Sequence, residues 1–331
     1  MKDQGLLKVE HLKTYFPVRK NLVEFILSRK TEYVRAVDDV SFNVGVGDIL
    51  GVVGESGCGK STLGRTVLRL IEPTAGKIYY EGIDVTSLKK KEMRRLRRKM
   101  QMIFQDPHGS LNPRRTVADI LRQSVRIHRL ANGKDEEDAM IKTTLEEVGL
   151  RPAEEFWGRY PILLSGGQRQ RVGIGRVLIL QPKLVVADEP ISMLDVSVRM
   201  GIVELLAHLR EKFGISLIYI THDLATARYI CDRIAIMYLG KIVEIAPTED
   251  LLKKPLHPYA KALIAAAPVP DPRVKMEELP IIGYVPLIPS DVYTSCRFYP
   301  RCPYADKGCR EQDPPLFEVE PNHYVACCKT R

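Results

Sequence analysis

A glycine-rich loop lies between an apolar run and a predicted helix. The run Ile49–Val53 is typical of a strand, and the helix is expected to begin at Lys60 and end near Ile71. Glycines let backbone N–H groups converge on an anion, and a helix N-terminus adds partial positive charge. Lys60 supplies a cation, and the hydroxyl of Ser61 is a ligand for magnesium. The spacing predicts a nucleotide-phosphate site formed by Gly54, Ser56, Gly57, Cys58, Gly59, Lys60, Ser61 and Thr62.

Two carboxylates follow a second apolar run, Leu184–Ala187, which is typical of a buried parallel strand. Asp188 at the end of this strand could hold magnesium through water. Glu189 could orient or deprotonate the attacking water in phosphoryl transfer. Two adjacent acids at a strand end are otherwise typical of a solvated turn, but the phosphate loop upstream favours a role in phosphoryl transfer.

The composition is that of an ordinary globular protein. The 331 residues are 45% hydrophobic and 27% charged, with a net charge of +9. This length can bury a sizeable core and accommodates more than one domain. No apolar run approaches the roughly 20 residues that cross a bilayer, and no signal peptide is visible, so we expect a cytosolic protein. The positive charge does not choose among nucleic acid, acidic lipid and ATP as partners.

Further patterns predict the elements around the loop. Apolar runs predict strands at Leu217–Ile220, Ile234–Tyr238 and Ile242–Ile245, and residues 86–181 are expected to be mainly helical. Lys89–Lys99 carries eight Lys or Arg and predicts an amphipathic helix with a basic outer face. A second basic cluster, Arg19–Arg35, is interpreted as a loop insertion, with a hairpin or short helix near a membrane as the alternative.

Three further motifs follow in order: Gln105, the run Leu164–Gln168, and His222. With them, residues 5–265 resemble the ATPase subunits of ABC transporters. The resemblance implies an α/β fold, a P-loop NTPase ABC cassette with a mixed β core, a RecA-like parallel sheet and a helical subdomain at about residues 90–180. It also implies a nucleotide-binding domain over residues 1–255 and a small Cys-rich C-terminal extension over residues 256–331.

The resemblance also implies roles for the matching residues. Glu189 and His222 are the catalytic pair, with His222 sensing the γ-phosphate. Magnesium is bound by Ser61, Gln105 and Asp188.

Other implied roles concern adenine and a second cassette. Phe16 stacks on adenine, with Tyr15 as its competitor. Asp195 lies at the interface between two cassettes. The residues that bind ATP held by the partner cassette are Ser165, Gly166, Gly167 and Gln168.

Longer runs narrow the resemblance to the oligopeptide/dipeptide importer ATPases, of the "F" type. These runs are Val53–Arg65, Phe104–Pro107, Ser110–Arg114, Ser165–Val172 and Cys296–Pro303. The implied machine pairs this chain with a different, related ATPase subunit on two transmembrane permease subunits, at the cytoplasmic face of the membrane. An extracytoplasmic solute-binding protein delivers the cargo. Some relatives of this group import oligosaccharides, so that cargo stays an alternative.

Five of the seven cysteines lie in a Pro-rich tail after Pro268. In a cytosolic chain, clustered cysteines favour metal ligation over disulfides. The tail has little apolar content, so a metal centre could order it where a core cannot. Thiolates suit zinc or an iron–sulfur cluster. The resembled family implies a [4Fe–4S] cluster, with zinc as the alternative, on Cys296, Cys302, Cys309 and Cys327.

Two other classes of function compete with transport. An ABC-type ATPase acting on nucleic acid would fit the positive charge. Repair ATPases, however, insert a long coiled coil between the phosphate loop and the acidic strand, and the interval here is too short. A regulatory module that binds ATP without hydrolysis is disfavoured because Glu189 and His222 are both present.

Overall fold

The computed structural model describes residues 5–18, 32–266, 281–283 and 293–330, without the side chains of Pro107 and His108. Most of the basic insertion at Arg19–Arg35 and the composition change at Pro268 lie outside these residues. The chain divides into two compact units. The first unit comprises Met1–Leu6, Val44–Ile49 and Ser87–Thr221, and the second comprises Leu7–Asn43, Leu50–Thr86 and His222–Arg331.

The first unit contains three parallel strands in the order β8-β7-β6. They are β6 (Met100–Ile103), β7 (Leu184–Asp188) and β8 (Ser216–Thr221). Every residue of β7 and β8 is buried, as expected for parallel strands covered on both faces. The polar side chains of these two strands therefore lie at their ends, where Asp188 closes β7.

Helices make up most of the rest of the first unit. They are α2 (Lys90–Leu96), α3 (Pro107–Ser110), α4 (Val117–His128), α5 (Lys134–Glu147), α6 (Ala153–Trp157), α7 (Gly166–Leu178) and α8 (Val196–Phe213). The helix of the basic cluster is shorter than predicted, because Met100 begins strand β6 instead of continuing the helix. Met93 is the buried residue of α2, and its Lys and Arg neighbours are largely exposed, as the amphipathic pattern predicts.

The second unit carries two sets of strands. One sheet has the order β2-β1-β4-β5, formed by β1 (Leu7–Pro17), β2 (Tyr33–Val44), β4 (Ala75–Tyr80) and β5 (Ile83–Asp84). In the other set, β3 (Ile49–Val53) pairs in parallel with β9 (Arg233–Tyr238), and β9 continues antiparallel to β10 (Lys241–Pro247). The helices of this unit are α1 (Lys60–Val67), α9 (Leu224–Ile230), α10 (Thr248–Lys253), α11 (Pro258–Ala265) and α12 (Lys307–Glu311).

The C-terminal tail adds two strands to the second set. Strand β12 (His323–Val325) pairs antiparallel with β10, and β11 (Phe317–Glu320) pairs with β12. The carboxylate of Glu244 in β10 is fully buried and lies 2.7 Å from Nε2 of His323. It also accepts backbone N–H groups of Leu256 and His257. Burial raises the pKa of Glu244, and these hydrogen bonds oppose the rise.

An aromatic cluster fixes the start of the described tail. Phe298 is 1% exposed, and its ring centroid lies 5.3 Å from that of Tyr238 and 5.4 Å from that of Tyr259. Burying large rings in this way is strongly favourable. Beside this cluster, Arg297 donates to the carboxylate of Asp38 and to the carbonyl of Leu239. The start of the tail is therefore packed against the rest of the second unit.

The predicted [4Fe–4S] cluster, and with it the zinc alternative, is wrong. Within the described residues no group of three or more His, Cys, Asp or Glu side chains could hold a metal ion. This applies to Cys296, Cys302, Cys309 and Cys327, which are free thiols. Burial, with a smaller effect of the neighbouring cysteines, raises the pKa of Cys296 to about 12. Aromatic and ionic contacts order the tail instead.

Arg297→Met should lower the free energy of unfolding by about 2–3 kcal/mol, because it removes one partner of a buried ion pair. The side chains of Arg297 and Asp38 are 1% and 6% exposed. Arg35 and Tyr15 also contact Asp38, which limits the loss. Urea denaturation of the full chain measures this effect. Lys329→Met, which breaks the exposed pair with Asp306, is the control. Equal midpoints for the two variants would contradict the prediction.

Candidate nucleotide-phosphate site

The glycine-rich loop between β3 and α1 needs its glycines for close packing. A Cβ on Gly59 would lie 1.9 Å from the carbonyl oxygen of Ala36, and one on Gly54 would lie 2.1 Å from that of Met237. Gly57 and Gly59 have φ of 80° and 106°, a region that other residues rarely adopt. No heavy atom lies within 4 Å of a Cβ built on Gly57. The exposed residues of the loop therefore offer backbone with open space in front of it.

Lys60 points its ammonium into this loop. The side chain is 4% exposed, and Nζ donates to the carbonyl oxygens of Gly54 at 2.7 Å and Glu55 at 2.9 Å. Lys60 begins α1, followed by Ser61 and Thr62, which are half-buried in the first helical turn. A fixed cation at a helix N-terminus surrounded by glycine backbone suits a polyphosphate.

Cys58 is the buried thiol of the loop. Its side chain lies 3.8 Å from Nζ of Lys60, and its burial raises the pKa of the thiol. Its neighbour Ser56 is exposed. A small apolar side chain at position 58 therefore packs against the interior side of the loop. A charged side chain there would be buried away from water, which is unfavourable.

In the first unit, the two predicted acids lie at the end of β7. Asp188 is fully buried, and the backbone N–H of Glu189 donates to the carbonyl of Ile220 at 2.9 Å. Glu189 has φ of 44°, a conformation unfavourable for a residue with a side chain. Its carboxylate accepts a hydrogen bond of 3.0 Å from Nε2 of Gln105. The structure therefore brings Gln105 to the predicted catalytic base, a contact that the sequence motifs did not suggest.

The residues predicted to bind ATP held by a partner cassette, Ser165–Gln168, lie at the N-terminus of α7. The side chain of exposed Ser165 accepts the N–H of Gln168, and the side chain of Gln168 accepts the N–H of Ser165. This reciprocal capping box fixes the first helical turn. A Cβ on Gly167 would lie 2.4 Å from Val198 of α8, and one on Gly166 would lie 3.3 Å from Leu194. Both glycines therefore allow α7 to approach the segment around α8.

Asp195 precedes α8 on an exposed stretch. Its neighbours Met193 and Val196 are 63% and 76% exposed, although both are apolar. This stretch therefore exposes apolar surface on both sides of Asp195.

The remaining predicted residues belong to the second unit. Phe16 is 39% exposed in β1, whereas the hydroxyl of its neighbour Tyr15 donates to the carboxylate of Asp38. His222 is exposed and follows β8 directly. Sequence reasoning missed Glu55, whose side chain meets Arg301 of the tail. The only signal for that pair was that both residues lie in motifs singled out by the sequence.

Comparison with known proteins gives agreement over almost the whole chain. Residues 37–192 match the ABC transporter family, and residues 243–309 match the oligopeptide/dipeptide transporter C-terminal region. The probable peptide ABC transporter ATP-binding protein y4tS of Sinorhizobium fredii is 48% identical over 325 residues, covering 98% of this chain and 90% of the relative. This chain belongs to the ABC transporter family. The oligopeptide transport ATP-binding protein AppF of Bacillus subtilis is 44% identical, covering 98% of this chain and 97% of AppF.

Solved ABC cassettes share the fold. The dimeric post-hydrolysis structure of the ATP-binding cassette MJ0796, bound to ADP and Pi, is 28% identical with a TM-score of 0.63. It covers 73% of this chain and 98% of that cassette. The prediction of a P-loop ABC ATPase cassette with a mixed sheet and helices is confirmed. As a member of the family, the chain is an ATPase coupled to transport and is peripheral at the cytoplasmic side of the membrane.

None of the helices in the described parts of this ABC ATPase is both long enough and apolar enough to cross a bilayer.

Proposed function

We propose that this chain is the ATP-hydrolysing subunit of an importer for oligopeptides or dipeptides. The observation that carries the proposal is the match of residues 243–309 to the oligopeptide/dipeptide transporter C-terminal region. The relatives y4tS and AppF are a probable peptide transporter protein and an oligopeptide transport protein, which supports the same cargo class. We further propose the division into a nucleotide-binding domain, residues 1–255 with a helical subdomain at about 90–180, and a C-terminal extension, residues 256–331.

In this proposal the glycine-rich loop binds the phosphates of ATP. Backbone N–H groups of residues 54–62 and the ammonium of Lys60 neutralise the anion. The donor set at the predicted metal positions consists of oxygens, which magnesium prefers. When bound, magnesium would be held by Ser61, Gln105 and Asp188 and would neutralise charge on the phosphates.

Glu189 is proposed as the base that orients or deprotonates the attacking water. The hydrogen bond from Gln105 holds its carboxylate in place, so Gln105 would act on the base as well as on magnesium. His222 is proposed to contact the γ-phosphate, and its exposure leaves the ring accessible. Phe16 is proposed to stack on adenine, which is supported because the hydroxyl of Tyr15 is already bound to Asp38.

A second cassette is proposed to complete the site. Ser165, Gly166, Gly167 and Gln168 would bind the γ-phosphate of ATP held by the partner cassette, using the N-terminus of α7. The exposed apolar side chains beside Asp195 support an interface there. We propose that the partner is a related but different ATPase chain, that both rest on two permease subunits, and that a solute-binding protein supplies the cargo.

Lys60→Ala should weaken ATP binding by the purified full chain by about 10- to 100-fold. The lost interaction is a set of charge-assisted hydrogen bonds to phosphate, each worth roughly 1.5–3 kcal/mol. Titration with a fluorescent ATP analogue measures the dissociation constant. Lys134→Ala removes an exposed lysine of α5 and should leave it unchanged. Equal affinity in wild type and Lys60→Ala would contradict the assigned phosphate site.

The cargo is tested on the assembled transporter. Untagged partners that co-purify with this chain, identified by mass spectrometry, would define the complex for reconstitution into vesicles. ATP-dependent uptake of oligopeptides or dipeptides is the expected result. Uptake of oligosaccharides with no uptake of peptides would overturn the cargo assignment while leaving the ATPase assignment intact.

A further inference from the structure

Glu55 of the glycine-rich loop is held at three points. Its backbone N–H donates to the hydroxyl of Tyr259 at 3.0 Å, and its carbonyl accepts Nζ of Lys60 at 2.9 Å. Its two carboxylate oxygens lie 3.1 and 3.0 Å from Nη1 of Arg301, in the C-terminal tail. One loop residue thus connects the phosphate-binding lysine to a cation that lies 246 positions later in the chain.

Arg301 is a fixed cation. Its side chain is 6% exposed, whereas that of Glu55 is 36% exposed. The guanidinium carbon lies 5.8 Å from the ring centroid of Tyr238 and 5.9 Å from that of Phe298, and Nη1 also donates to the hydroxyl of Tyr238 at 3.4 Å. The rings restrict the rotamers of Arg301, so the guanidinium is already oriented for the carboxylate.

Arg297 anchors the same segment by a second route. It donates to Asp38 and to the carbonyl of Leu239. The next residue, Gly240, donates its N–H to the carbonyl of Cys58 in the loop at 2.8 Å and accepts the N–H of Asp38 at 2.8 Å. The tail therefore contacts the loop directly through Arg301 and, through the turn at Leu239–Gly240, indirectly.

The negative charge of Glu55 is unfavourable beside a bound polyphosphate, and Arg301 neutralises it. A carboxylate within a loop that binds a polyphosphate repels the ligand, because like charges a few ångströms apart disfavour each other. Arg301 neutralises this carboxylate and leaves the positive charge of Lys60 for the phosphates.

We propose that Arg301 is a positioning residue of the ATP site and acts through Glu55. The C-terminal tail would then set the ATP affinity of its own cassette. This inference rests on the proposed function, since it requires the loop to bind ATP. It assigns to the tail an effect on nucleotide binding, in addition to the packing that orders it.

Arg301→Met should weaken ATP binding by about 3- to 10-fold, because a partly buried charge pair is removed and Glu55 faces the phosphates unneutralised. The double variant Arg301→Met/Glu55→Gln should recover most of the affinity, since the repelling charge is gone. Arg301→Lys should lie between Arg301→Met and wild type. Lys241→Met is the matched control, because it breaks another ion pair with the tail, to Asp313, without contacting Glu55. The fluorescent ATP analogue measures each dissociation constant on the full chain.

Steady-state kinetics of the assembled transporter give an independent test. Arg301→Met should raise the KM for ATP by a similar factor and leave kcat within about twofold, because Gln105 and Glu189 are untouched. A fall in kcat at an unchanged KM would overturn the proposal.

Two results would separate the possible failures. Affinity of Arg301→Met equal to that of wild type would overturn the positioning role, while weak binding by Lys60→Ala in the same assay would keep the proposed function. A double variant as weak as Arg301→Met would mean that the residue only docks the tail, and would likewise overturn the proposal. If Lys60→Ala bound ATP as wild type does, the proposed function itself would fail.

Discussion

Glu189→Gln should lower the steady-state ATPase rate of the assembled transporter by about 10²–10⁴, the usual contribution of a positioned base. The amide keeps the size of the side chain and can still meet Gln105, but it cannot accept a proton from water. ATP affinity should stay near that of wild type, because the phosphate-binding loop is unchanged. Phosphate release at saturating ATP measures the rate.

Glu204→Gln is the matched control for this variant. It makes the same chemical change at an exposed position of α8 and should leave turnover unchanged. Turnover of Glu189→Gln within about tenfold of the wild-type rate would place the base elsewhere. A parallel loss of ATP affinity would show instead that the substitution had disturbed binding.

Ser165→Arg should abolish ATP-driven pairing of the two cassettes and reduce turnover of the complex to near background. Ser165 is exposed and caps α7, so a bulky cation there would obstruct the backbone N–H groups proposed to meet the partner's γ-phosphate. It would also remove the hydroxyl that accepts the N–H of Gln168, which costs roughly 0.5–2 kcal/mol of local stability. Cysteine crosslinking across the cassette interface with and without ATP measures the pairing.

The control must separate the loss of cassette pairing from the general effect of adding a positive charge to the surface. Thr143→Arg introduces the same side chain at an exposed position of α5 and should leave ATP-dependent crosslinking unchanged. The Ser165→Arg chain should itself still bind ATP at its own glycine-rich loop. Normal crosslinking by Ser165→Arg would refute the role proposed for Ser165–Gln168 across the two cassettes.

The ATPase core could be predicted from the sequence because its signals are local. The buried runs before the loop and before Asp188 are strands. Gly54 and Gly59 lie where a Cβ would come within 2.1 Å of a carbonyl oxygen, so only glycine fits there. Helix α1 shows where local signals fail. It ends at Val67, before the expected Ile71, because Arg69 adopts φ of 50° and donates to the carbonyl of Val85 at 2.7 Å. Arginine favours helices, so helix propensity alone does not predict this end. Arg69 also pairs with Glu72, and the N–H of Leu70 closes the helix on the carbonyl of Arg65.

The tail could not be predicted because its partners are distant in sequence. Arg297 pairs with Asp38 across 259 positions and Arg301 with Glu55 across 246. Local composition shows only prolines, cysteines and few apolar residues, from which a metal centre was a reasonable but wrong conclusion. The contact between Gln105 and Glu189 could not be predicted for the same reason, since the two residues are 84 positions apart. Motifs identify residue types, whereas these contacts depend on how the chain folds back.

The second unit is complete only after strand β12 of the C-terminal tail has paired with β10. Glu244 and its partner His323 are 79 positions apart, and closing so long a loop slows folding. Until β12 arrives, β10 presents its edge to other chains, and Glu244 lacks the imidazole that it contacts in the folded state. A nascent or heat-stressed chain whose tail is late would therefore be vulnerable to aggregation through β10, and a chaperone that covers this edge would protect it.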